Sequence, residues 1–72
     1  MGIDAHEREQ LQVLLAHWIE HNMEHAREFR KWAPKAGASS IQIEAAASLM
    51  EDANRELEAA LQGIGGSRSI EP

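Results

Sequence analysis

The sequence predicts an all-α fold: an antiparallel two-helix hairpin that pairs with a second copy to make a four-helix bundle. Three observations lead there. The chain is rich in Ala, Glu, Leu and Gln, poor in β-branched residues, and has no tyrosine. Apolar residues recur at helical spacing along two long stretches. A short Pro-Lys-Ala-Gly-Ala segment, residues 34–38, separates the two.

The first helix is expected over residues 5–33. Asp4 can cap it, and Glu7 stands three residues on, where its carboxylate reaches back to the cap as in a capping box. No glycine or proline occurs between Asp4 and Ala33. Leu11, Leu14, Leu15, Trp18, Ile19, Ala26, Phe29, Trp32 and Ala33 fall on one broad face. Arg27, Arg30 and Lys31 lie in the last turns, where positive charge suits the helix dipole. Pro34 disfavours helical geometry at Ala33 and should end the helix there. At the usual rise per residue the rod is about 43 Å long.

The second helix is expected over residues 40–62. Ser39 with Gln42 fits a second capping box. Ile43, Ala46, Met50, Ala53, Leu57, Ala60, Leu61 and Ile64 make its apolar stripe, and the many alanines allow close approach of a neighbouring helix. Gly63 is placed to stop the helix, with Ile64 folding back in a Schellman-type contact. The hairpin thus occupies residues 1–64, and the polar segment 65–72 is expected to be a flexible tail.

A two-helix hairpin buries one side of each helix, and a face carrying Trp18, Phe29 and Trp32 needs more cover. A second copy is the simplest solution, and a partner protein would satisfy the same physics. The 72-residue length allows one small domain. A net charge of −5 argues against nucleic-acid binding, which normally needs a basic face. No apolar run is long enough to span a membrane, and no signal peptide is visible, so a cytoplasmic location is the expectation. With no cysteine, disulfides, thiolate metal sites and a cysteine nucleophile are excluded.

The chemistry-bearing stretch is His17-Trp18-Ile19-Glu20-His21-Asn22-Met23-Glu24-His25. Residues four apart stack on one face of a helix, so His17, His21 and His25 form a ladder with Glu20 and Glu24 beside it. Imidazole and carboxylate are usual ligands of divalent transition metals, and with nitrogen and oxygen ligands and no thiolate they suit zinc, nickel or cobalt, with iron and copper as further alternatives. On a wheel at 100° per residue, Asn22 falls near the middle of the apolar face, with His25 inside it and His21 at its edge. Buried polar groups need partners, at a cost of about 1–3 kcal/mol each if unpaired. Two readings follow. In the first, the protein is a non-enzymatic metal binder, with His21 and His25 as ligands, helped by His17 and Glu24. Asn22 and Glu20 then orient them. In the second, it is a structural or interaction module without metal. Asn22 then fixes register by pairing with its symmetry mate, and the histidines hydrogen-bond acids such as Glu44 or Glu51. The pattern His-x-x-Glu-His also occurs twice, as in inverted zinc peptidases, but a 72-residue chain offers little for a third ligand or a walled cleft, and no catalysis is expected.

The segment from Leu14 to His25, continued by Phe29 and Trp32, resembles a family of small helical proteins and domains of anaerobic bacteria and archaea. Their core reads His-Trp-x-x-His-Asn-x-x-His, followed by an aromatic helix end. The resemblance covers the first helix well and the second in general character. It implies that His17, Trp18, His21, Asn22 and His25 form one unit, and a role in handling nickel or cobalt is compatible with it.

Overall fold

The computed structural model describes residues 3–65. The helix α1 spans Ala5–Trp32, a 3-10 helix spans Ala33–Ser39, and the helix α2 spans Ser40–Gly63. The two long helices fold back on each other. Gln12 meets Ile64, Asn22 meets Asn54, and Arg30 meets Glu44, so the helices run antiparallel.

Each boundary has a local cause. Asp4 adopts extended backbone and its Oδ1 accepts from the Glu7 amide at 2.8 Å, while Glu7 returns the contact to the Asp4 amide at a long 3.5 Å. The reversal does not behave as a plain turn. A 3-10 segment starts at Ala33 with Pro34 in its first turn, and the change of direction comes at Gly37, with φ 62° and ψ −127°. That backbone region is close to glycine-only. Ser39 makes no side-chain cap, contrary to the expected capping box with Gln42. Its backbone is already helical (φ −84°, ψ −2°) where a cap needs extended geometry, because the 3-10 segment runs straight into α2. At the far end, the left-handed glycine is Gly65 (φ 89°) rather than Gly63, and Ile64 donates back to Ala60. The expected tail lies outside the described residues apart from Gly65.

Replacing Gly37 by alanine is expected to destabilise the fold by about 1–2 kcal/mol, the cost of a Cβ at positive φ. No atom lies within 4 Å of where that Cβ would sit, so the whole effect is backbone strain. Thermal unfolding of Gly37→Ala measures it; an unchanged midpoint would mean the bend can be made another way.

The core is a seam at alternating spacings of four and three. On the α1 side it runs Leu15, Ile19, Asn22, Ala26, Phe29 and Ala33. On the α2 side it runs Ile43, Ala47, Met50, Asn54, Leu57, Leu61 and Ile64. This is the heptad pattern of a coiled coil. Ala26, Ala33 and Ala47 are buried and bring the backbones close. Among the described residues, no large side chain is fully buried. The radius of gyration of 15.7 Å exceeds the roughly 11 Å of a compact chain of this length. A lone hairpin is therefore long and thin, with a core only one seam wide. Neither long helix is apolar enough over sufficient length to cross a membrane.

Candidate functional site

The centre of the hairpin is polar. Asn22 Nδ2 donates to Asn54 Oδ1 at 3.0 Å, and Asn54 Nδ2 donates to the Ile19 carbonyl at 2.9 Å. Asn54 is 6 % exposed. The partner expected for Asn22 was a second copy of itself; it is Asn54 of the same chain. A buried amide must satisfy both of its ends, and for Asn54 the Asn22 amide and the Ile19 carbonyl do this in a single layer.

One flank of the seam is charged. Arg30, four residues beyond Ala26, reaches Glu44 Oε1 at 2.6 Å and Glu51 Oε1 at 2.7 Å, with Ser48 Oγ 3.5 Å away. Glu44, Ser48 and Glu51 lie on successive turns of α2, so one guanidinium fork braces three of its positions. The hydrogen bond to Glu51 is the largest reason that Arg30 holds its proton even more tightly than usual. Because the folded value is raised, this contribution is complete below the unfolded arginine pKa and fades only as strong alkali is approached.

The opposite flank is apolar. It consists of residues one before the seam: Trp18 and Trp32 on α1, and Ala46, Ala53 and Ala60 on α2. Trp18 is 41 % and Trp32 53 % exposed. Leu14 and Leu49 are exposed at its outer edges. Lys31 and Lys35 place their ammonium groups 5.9 and 5.6 Å from the Trp32 ring, as cation–π neighbours. The seam itself opens toward this flank. Ile19, Ala26, Ala47 and Asn54, on the charged side of the seam, are buried, whereas Phe29, Met50 and Leu57, on the apolar side, are only half-buried.

Of the histidines, His25 lies in the row of this flank, His21 beyond its edge and His17 on the back of α1, and all three point to water. His17, His21 and His25 are all exposed. The rings of His17 and His21 stack with centroids 5.8 Å apart. Those of His21 and His25 meet edge to face, with their Nε2 atoms 3.1 Å apart, one donating to the other. The expected metal site is not formed. Among the described residues, no group of three or more His, Cys, Asp or Glu side chains is placed to hold an ion. Two facts explain this. Glu44 and Glu51, the acids of α2 that were candidate partners, are held by Arg30 on the far flank. His21, Glu24 and His25 line an open hollow of about 360 Å³ together with Arg27 and Glu28, so their side chains border water rather than converge on one point. His17, His21, His25 and Glu24 are thus not a ligand set, Asn22 orients none of them, and Glu20 borders only a second shallow hollow. The proposed zinc, nickel or cobalt cofactor, and the metal-binding function built on it, fall with the site.

Sequence reasoning assigned neither Asn54 nor Arg30 its tie across the hairpin. The signal for Asn54 was its place between Met50 and Leu57, at the spacing of the seam. For Arg30 it was the run Glu44, Ser48, Glu51 on one face of α2.

Residues 11–64 match the model of a family described as "Domain of unknown function (DUF8180)". No curated protein and no solved structure matches the chain.

Proposed function

We propose, for a chain that belongs to the family Domain of unknown function (DUF8180), a structural role without catalysis: a hairpin whose apolar flank packs on a second copy to complete a four-helix bundle. The observation that carries this reading is the flank holding Trp18 and Trp32. Both indoles are about half-exposed, and the half-buried Phe29, Met50 and Leu57 open toward the same side. Burying such a ring is worth about 1.5–3 kcal/mol, and large aromatic residues are the usual anchors of interfaces. The polar groups support the same role. The Asn22–Asn54 layer and the Arg30 brace are both spent on holding α1 against α2 in one register.

Sedimentation or light scattering tests this directly. The native protein is expected at twice the 8.0 kDa chain mass. Trp18→Ala should weaken association by about 2 kcal/mol per copy, and because both copies carry the change the dimer Kd should rise roughly a thousandfold. Val13→Ala, a truncation of an exposed apolar residue off this flank, should leave the mass unchanged. A native protein that stays at single-chain mass at every concentration would overturn the reading.

A further inference from the structure

We propose that the second copy lays its α2 across α1, so that Trp18, His25 and Trp32 of each chain sit over Ala60, Ala53 and Ala46 of the other. This rests on the homodimer reading above and specifies its geometry.

Surface area makes room for a partner, and length and the complementary rows of the flank fit a second copy to it. The chain exposes 5250 Å². A compact monomer of 8.0 kDa exposes about 4450 Å². The difference is about 800 Å², which is the area each partner contributes to a standard stable interface. A second hairpin also has the length to cover the flank from end to end, being made of the same two helices.

Shape then selects the orientation. On α1 the flank residues Trp18, His25 and Trp32 are seven apart, and so are Ala46, Ala53 and Ala60 on α2. The Asn22–Asn54 bond sets the relative height of the helices. It places Trp18 near Ala60, His25 near Ala53 and Trp32 near Ala46, each to within about one helical turn. The flank is therefore a large row beside a small row, level with each other.

Two such faces can meet around a twofold axis in two ways. With the axis along the helices, α1 lies over the partner's α2, and every large residue meets an alanine at its own height. With the axis across the helices, α1 lies antiparallel over the partner's α1. The tryptophans then collide near both ends, and alanine faces alanine with a gap between. Close packing without voids favours the first. It also leaves the Arg30, Glu44 and Glu51 flank in water on the outside of the bundle, so those charges lose no hydration on association.

The chain has no cysteine, so introduced pairs report the orientation without background. Two single variants, His25→Cys and Ala53→Cys, are made, their masses checked under reducing conditions, and then oxidised separately and as a mixture. The expected result is a mixed disulfide between a His25→Cys chain and an Ala53→Cys chain as the major product, with little linkage of Ala53→Cys to itself. Self-linked Ala53→Cys as the major product would overturn the orientation and leave the homodimer standing, as would a dimer by mass that gives no mixed disulfide. Single-chain mass for the native protein together with no linkage in any combination would overturn the homodimer and this proposal with it. Ser48→Cys, on the charged flank, should link to nothing.

Discussion

Asn54→Ala should lower the melting temperature by about 10 °C. The side chain makes two hydrogen bonds, accepting from Asn22 and donating to the Ile19 carbonyl. Each contributes about 1 kcal/mol net, and about 2 kcal/mol in a domain of this size corresponds to that shift. The asymmetry between removing one partner and removing both sharpens the test. Asn22→Leu combined with Asn54→Leu leaves no orphaned amide, so stability should be kept or raised. What should suffer is the uniqueness of the assembly, because a polar pair in a seam penalises every register that separates it. A calorimetric scan reads the first effect, and the distribution of masses in solution reads the second. If Asn54→Ala melted like the native protein, the central layer would be decoration.

The second large effect is expected from Ala47→Leu. Ala47 has no exposed surface, and Ala26 and Ala33 on the other side of the seam are 3 % and 0 % exposed. Three extra carbons between backbones that approach this closely must push them apart, at about 3 kcal/mol, near the upper end of overpacking costs. Ala45→Leu, two residues away on an exposed face, should change the urea midpoint little. Equal midpoints for the two variants would mean that the helices are not held by the alanines between them.

The two packed helices were legible because their signals are local. Asp4 with Glu7 is a chemical cap that acts within one turn, and its hydrogen bonds are present. Pro34 and Gly37 mark the reversal for reasons that belong to those residues alone. The site was less legible because its meaning depends on angle. A straight wheel at 100° per residue places His25 within the apolar face. The seam holds Asn22 and Ala26, whereas His25 stands in the row of Trp18 and Trp32, whose inclusion widened the apolar face of the wheel to take it in. Histidine spacing therefore showed which side chains could stack, and it did show that, since the rings of His17, His21 and His25 do meet. It could not show what stands opposite them. That is decided by α2, whose acids are engaged elsewhere by Arg30. The Ser39 cap failed for a comparable reason. Ser-x-x-Gln signals a helix start only if the chain arrives extended, and the 3-10 segment delivers it already coiled.

The bend at Gly37 also sets an order of assembly. The ties across the hairpin join residues 14, 32 and 52 apart in sequence, namely Arg30 to Glu44, Asn22 to Asn54, and Gln12 to Ile64. Closing the longest loop in one step costs about 1 kcal/mol more chain entropy than closing the shortest. Once the innermost tie is made, each later one closes only the few residues that remain free. The hairpin should therefore zip from its bend toward its open end, and unzip the same way in reverse. The Gln12–Ile64 tie is then the last to form and the first to open, which makes the free ends of the two helices the place where the molecule breathes.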